Sequence, residues 1–486
     1  MPNDSPQLPN ILLVMVDEQP VFFLGAYGHP FVRSPNVDAL ARRSAVFDSA
    51  YCCSPICAPC RAAMMTSRHV HTIEVWDNAS PLRSDWPTFA HDFAAAGYQT
   101  ILCGKMHFVG PDQLHGFTER WVPDIYPATF DWTRSNRNGV AVNDGGQNID
   151  SVLKAGAGLS PDMRYDERVR DEAVRGLQRL LADKRQQPFL LVVSFTGPHP
   201  PYKAPQEYWN LYRNEQIDLP DVPEDFRTRE HAFARSVRTS GRFEDLVPDD
   251  GCRTARHAIL ARTTLVDEHI GHVLHALEET RASRDTIVAY TADHGDMMGE
   301  HGLWFKNTAY EWSSRVPLLV SGPDIPPRRL HETVSLLDLG PTLIELAGID
   351  SLPYPRDGRS LASLLRARRA EGTGQAIIEN YGEGVERGIR TIVRGRHKLS
   401  IADRAEPELL DLETDPHEWH NVADDSQYRH IRAELESALR VDWQNPAGID
   451  ERRWQNEERR LAILRAWESS VKPTWQDDWS VARENK

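Results

Sequence analysis

Long hydrophobic runs are missing from this 486-residue sequence. The longest, residues 11–16 and 189–193, fall far short of the roughly 20 apolar residues that a membrane-spanning helix needs, so no membrane partner is expected. Positive charge is in deficit: 56 Lys and Arg stand against 71 Asp and Glu, a formal net charge of -15, which argues against a nucleic-acid partner or an anionic membrane surface. The opening MPNDSPQLPN carries Asp4 and several prolines where a secretory leader would have a positive region and an apolar stretch, and the expectation is a cytoplasmic protein. Cysteine is scarce, with six in the whole chain, which excludes a disulfide scaffold. Internal repeats and low-complexity blocks are lacking too.

What is present is an alternation of short β-branched or Leu-rich runs with amphipathic helical patterns. Strands are expected at 10–16, 98–102, 188–195, 286–291 and 317–321, with helices at 36–45, 87–96, 165–182 and 254–277. The last of these carries Ile259, Val266, Ile270, Val273 and Leu277 on one stripe. This pattern predicts an α/β fold: a large, mainly parallel sheet covered by helices on both faces, followed by a smaller carboxyl-terminal α+β unit. Residues 205–250 show no regular period and read as a long irregular insertion of the kind that shapes a pocket. The charged, glycine-bearing run RARRAEGTG suggests a boundary near 370, giving domains 1–370 and 371–486, the second with strands near 376–379, 388–393 and 398–402. The tail, 451–471, reads as an exposed charged helix followed by PTWQDDW. Its tryptophans, Trp454, Trp467, Trp475 and Trp479, are more aromatic surface than a solvated end usually carries and point to a homo-oligomer, dimer or tetramer.

Two apolar runs end in acidic clusters. NILLVMV is followed by Asp17 and Glu18, and TIVAYTA by Asp293 and His294, then Asp296, Glu300 and His301. Either cluster alone would be ordinary surface polarity. Two strands ending this way at the carboxyl edge of an α/β sheet point to a shared divalent site, and carboxylates with an imidazole suit Ca²⁺, Mg²⁺ or Mn²⁺, the nitrogen favouring Mn²⁺. The third feature is CCSPICAPCRAAMMTSR, with four of the six cysteines within nine residues. Its Cys57-Ala-Pro-Cys60 pair admits a zinc site, which would need two more well-spaced ligands, or a redox pair, which would not call for the carboxylate clusters. A non-catalytic zinc- or partner-binding protein is therefore an alternative from outside the enzyme class.

CAPCRAAMMTSR resembles the sulfatase signature C-x-P-x-R, whose cysteine a maturation enzyme oxidises to formylglycine; Cys57 would be that residue. NILLVMVDEQ, TADHGDMMGEHGLWFK and LDLETDPHEWHNVADD follow in the order that sulfatases of the alkaline phosphatase superfamily show. GAYGHPFVRSPNVDALA, CGKMHFVGPDQLHGF, DIYPATFDWT and SRVPLLVSGP look most like choline sulfatases and their relatives, which include phosphonate monoester hydrolases. FTGPHPPY departs from their T-H-P-H-D-P, with Gly197 in place of the first His and Pro200 in place of Asp.

The resemblance implies hydrolysis of a small organic sulfate ester, choline sulfate or a related alkyl sulfate, by a formylglycine hydrate. The same parts could serve a phosphonate monoester or phosphate diester, or aryl and carbohydrate sulfates. It also implies one divalent ion, Ca²⁺ or Mn²⁺, held by Asp17, Cys57 in its converted form, Asp293 and His294, with Glu18 where relatives place a further ligand. Arg61 would orient the hydrate, Lys105 and His107 would face the sulfate, and His107 could take the proton that releases it. His199 and Lys306 would serve the leaving oxygen. Trp132 and Glu383 match the family's aromatic face and acidic partner for a quaternary ammonium. The implied partners are the small-molecule sulfate ester and the formylglycine-generating maturation enzyme.

Overall fold

The computed structural model describes residues 8–130, 147–182, 187–279, 281–366 and 374–468. Its strands, in chain order, are β1 (Asn10–Asp17), β2 (Ala45–Tyr51), β3 (Gln99–Gly104), β4 (Glu119–Val122), β5 (Gly156–Ala157), β6 (Phe189–Pro198), β7 (Lys203–Ala204), β8 (Thr286–Ala292), β9 (Arg315–Ser321), β10 (Arg328–Ser335), β11 (Ala376–Asn380), β12 (Ile389–Arg394), β13 (His397–Ala402) and β14 (Glu408–Asp411). Eight of them form one sheet in the order β10-β2-β9-β8-β1-β6-β3-β4. Only β9 runs against its neighbours; the other pairings are parallel.

The central strands are the apolar runs of the sequence. β6 and β8 are buried along their whole length and β1 from its second residue, as strands covered on both faces must be. Helices flank the sheet, among them Pro161–Ala182 and Asp249–Glu278. The expected mainly parallel α/β architecture is therefore present. β11 to β14 make an antiparallel meander, tied to the large sheet by a parallel bridge between Thr333 and Gly374. Its Ile378, Ile392, Leu399 and Leu409 join the same core as Leu12 and Val192. The expected boundary near 370 falls among residues outside the description.

Several local expectations are corrected. The helix expected over 36–45 stops at Arg42, and Ala45 already opens β2. β10, RRLHETVS, is an edge strand whose first half alternates and so lacks an apolar run. The 205–250 insertion is not wholly irregular: it holds short helices at Gln206–Asn210, Phe226–Arg229 and Ala232–Gly241. The carboxyl-terminal helix spans Pro446–Glu468 and is not simply exposed, because Ile449, Arg453 and Arg460 are buried against the chain's own body. Trp475 and Trp479 lie outside the described residues. No helix among the described residues is long and apolar enough to cross a membrane.

Candidate active site

Four adjacent parallel strands, β8, β1, β6 and β3, deliver their carboxyl ends to one edge of the sheet, where open α/β sheets bind ligands. Asp293 and His294 follow β8, Asp17 closes β1, His199 follows β6, and Lys105 and His107 follow β3. Pairing of Val16 with Ala292 sets Asp17 beside Asp293. β2 runs in the same direction, so the segment leaving it opens at this edge and enters the helix Cys57–Thr66 at its first residue. Gly104 lets β3 turn there: its φ of 106° lies in the left-handed region, and a Cβ would meet the Ser194 carbonyl oxygen at 2.1 Å.

Arg61, one helical turn after Cys57 and fully buried, ties the edge together. Its Nε donates to Asp293 Oδ2 at 2.7 Å, one terminal nitrogen to Asp17 Oδ2 at 2.9 Å, and the other to Ser194 Oγ and the Lys105 carbonyl, both at 2.9 Å. Lys105 forms a second ion pair with Asp17. Burial would raise the Asp17 carboxyl, but Lys105 and Arg61, helped by His199 and Lys306, hold it well below the ordinary carboxylate range. Cys57 Sγ lies 3.2 Å from His294 Nε2, 3.2 Å from Lys306 Nζ and 3.8 Å from Asp17 Oδ1. Burial, reinforced by Asp17, pushes this thiol up to about 12, so the unconverted cysteine is a poor nucleophile. Its sulfur stands where the hydrate oxygens of a formylglycine would stand.

A second knot forms on Glu18. Its Oε2 accepts from Lys306 Nζ at 2.7 Å and from Gln147 Nε2 at 3.2 Å, and lies 3.2 Å from His199 Nε2. Burial pushes Glu18 up to about 8 against the pull of Lys306. His199 Nδ1 is 2.6 Å from the Pro200 carbonyl; a carbonyl can only accept, so Nδ1 carries a proton and Nε2 faces the site. Burial and Lys306 hold the His199 ring well below its usual range. Tyr126 lies among these groups: its ring is 4.3 Å from Lys105 Nζ and 4.9 Å from the His107 ring, and its hydroxyl is 3.5 Å from His199 Nε2. Burial and Lys105 push His107 down to about 3, leaving its ring neutral at ordinary pH.

Asp17, Cys57, Asp293 and His294 place one donor atom each within 4.8 Å of one another, all buried. His294 Nδ1 is 3.0 Å from the Gly295 carbonyl, which fixes the tautomer and leaves Nε2 as a lone-pair donor, the arrangement of metal-binding histidines. Two carboxylates and an imidazole suit a divalent cation. Glu18 falls outside this group and belongs to a second one with Asp17 and His199.

The sequence-predicted residues Asp17, Cys57, Arg61, Lys105, His107, His199, Asp293, His294, Lys306 and Glu18 thus lie at one edge. Glu383 is buried in the β11–β12 loop, whose Gly382 faces Ile56 and Asp77. Trp132 lies outside the described residues. Asp296 accepts from the Met298 and Phe305 backbone and from Tyr202, so it shapes the loop leading to Lys306. Glu300 pairs with Arg256, and His301 stacks between Tyr310 and Trp419. Sequence reasoning missed Ser194, Gln147, Tyr126 and Asn78, whose Oδ1 accepts the Ala58 N–H at 3.0 Å. Among the described residues, none of the groups suited to a metal includes Cys52, Cys53 or Cys60, and all six cysteines are free. A zinc site built on the Cys57 and Cys60 pair is therefore not formed among the described residues.

Fold and site together define a hydrolase of the alkaline phosphatase superfamily. Comparison with known proteins narrows the class: the chain belongs to the sulfatase family, whose profile matches residues 9–349, and is a sulfuric ester hydrolase. The carboxyl-terminal profile of N-sulphoglucosamine sulphohydrolase matches residues 299–444. A choline-sulfatase of Rhizobium meliloti (strain 1021) is 39% identical over 426 residues, covering 86% of this chain and 82% of that protein. An uncharacterized sulfatase, YidJ, of Escherichia coli (strain K12) is 29% identical over 96% of this chain and 92% of its own length. Among solved structures, the phosphonate monoester hydrolase of Agrobacterium radiobacter superposes with a TM-score of 0.74 at 23% identity, covering 89% of this chain and 96% of that one, a likeness of fold.

Proposed function

We propose that this chain hydrolyses choline sulfate, or a closely related small cationic alkyl sulfate, to the alcohol and sulfate. The observation that carries this reading is the 39% identity to a choline-sulfatase over 86% of the chain, joined to the clustering of cations around Cys57. A formylglycine at position 57, made from Cys57 by a maturation enzyme, supplies a nucleophilic oxygen, and one divalent cation, Ca²⁺ or Mn²⁺, on Asp17, position 57, Asp293 and His294 supplies charge stabilisation.

The chain's own residues do the rest. Arg61 holds Asp17 and Asp293 apart from each other's charge and cannot lose its own. Lys105 and His107 bind the sulfuryl oxygens, and the neutral His107 ring takes a proton as sulfate is released. Lys306 keeps its ammonium, because the facing Cys57, Glu18 and Asp17 outweigh burial, and it neutralises the charge developing on the leaving oxygen beside His199. Glu18 orients that pair through Oε2. Trp132 and Glu383 hold the trimethylammonium group, which offers no hydrogen-bond donor.

The test is a side-by-side comparison of kcat/KM for choline sulfate, a neutral aryl sulfate and a phosphonate monoester. The cationic sulfate is expected to be best; a preference for the phosphonate would overturn the reading. Trp132→Ala is expected to lower kcat/KM for the cationic ester about 2- to 30-fold, the worth of one cation–π contact, and to spare the neutral one. Equal losses on both esters would make Trp132 a packing residue. The tryptophan-rich tail also supports a homo-oligomer: light scattering on a chain ending near Val441 should report a smaller assembly than the full chain.

A further inference from the structure

The carboxyl-terminal helix Pro446–Glu468 reaches back to three segments that surround the site. Arg460, 6% exposed, donates to both oxygens of Asp77 at 2.8 and 2.6 Å. Asp77 Oδ1 also accepts from the Ala79 N–H and the Ser80 hydroxyl, both at 2.9 Å, which closes a turn. The next residue in that turn is Asn78, which caps the Ala58 N–H beside Cys57. Arg453 donates to the Val385 carbonyl at 2.9 Å, in the loop pressed on Ile56 through Gly382. Trp467 stacks on Phe130, with ring centroids 5.8 Å apart and planes at 18°, four residues beyond Tyr126.

We propose that this helix is a positioning element of the active site of its own chain, and that Arg460 is the positioning residue. Through the Asp77 turn it holds Asn78 against the first turn of the helix that begins with Cys57, and so sets where position 57 lies relative to Asp17 and His294. The proposal rests on sulfatase turnover at Cys57 and is independent of which alcohol leaves.

The experiment uses the full chain and 4-nitrophenyl sulfate, with thermal melting and mass spectrometry of the Cys57 peptide on every variant. Arg460→Ala is expected to lower kcat about tenfold or more per converted, folded enzyme, with KM changed less than about threefold, since misplacing a reacting group by an ångström can cost about a hundredfold. Arg460→Lys should recover most of the loss. The Asp77→Ala/Arg460→Ala double variant should be no slower than Asp77→Ala alone, because Arg460 acts only through Asp77. The proposal is overturned by a kcat within about twofold of the parent, by additive losses, or by a loss that merely tracks folded or converted protein. Should Arg460→Ala fail to fold, Arg460→Met, which keeps the packing of the side-chain stem but offers no donor to Asp77, carries the same expectation and the same refutation.

Discussion

Turnover is expected to vanish in Cys57→Ala while the chain stays folded. The thiol is buried and its contacts are to groups with other partners: Asp17 is held by Arg61 and Lys105, Lys306 by Glu18, and His294 by the Gly295 carbonyl. Removing one sulfur therefore leaves no buried charge unpaired, and the stability cost should stay near that of a small core truncation, about 1 kcal/mol. The loss in rate should be complete, since among the described residues no other side chain at this edge combines a nucleophilic atom with the same reach to Asp17 and His294. Substantial activity in the purified variant would sink the assigned nucleophile. Cys60→Ser should be far milder, because a serine hydroxyl can still donate to the Asp293 carbonyl that Cys60 Sγ meets at 2.9 Å. Equal loss in both variants would instead favour a paired-cysteine function.

Arg61→Ala should behave in the opposite way and damage the fold itself. The guanidinium is fully buried and is bonded to Asp17 and Asp293, each also fully buried. Taking away one partner of a buried ion pair typically costs about 3–5 kcal/mol, because the remaining charge is left without compensation; here two carboxylates are affected, and Lys105 relieves only Asp17. Against a usual total of about 5–15 kcal/mol, a variant that folds at all should show a much lower denaturation midpoint and no turnover. Urea unfolding followed by fluorescence measures this directly, and a midpoint equal to the parent's would refute the account of Arg61 as the tie of the sheet edge. Arg61→Lys should fall between, since one ammonium cannot reproduce the planar fork that spans both carboxylates.

Much of this edge was legible because the chemistry sits where apolar runs stop. Asp17 and Asp293 could be read from the strands that precede them, and Cys57, Arg61, Lys105, His107, His199 and Lys306 from the resemblance to sulfatases. Ser194 is hidden inside a run that reads as core, and Gln147 has no local signal, since its partners Glu18 and His199 are distant in sequence. β2 was lost because AVFDSAY continues without a break from a helical pattern, and β10 because an edge strand needs apolar side chains on one face only. The carboxyl-terminal helix misled for a related reason. It docks through the arginines Arg453 and Arg460 and not through an apolar stripe, so its sequence looks like a solvated surface helix.

The ledger of charge at the sheet edge bears on what the enzyme releases. Arg61, Lys105 and Lys306 set three positive charges against the carboxylates of Asp17 and Asp293, while burial keeps Glu18 largely protonated, so the protein's own groups carry about one positive charge before any cation is added. A dication on Asp17, Asp293 and His294 would leave the cleft about three charges positive. An alkyl sulfate carries one negative charge and a choline ester none overall, whereas the inorganic sulfate produced carries two. Electrostatics alone therefore favours the product over the substrate, which makes sulfate, and phosphate with it, a natural inhibitor.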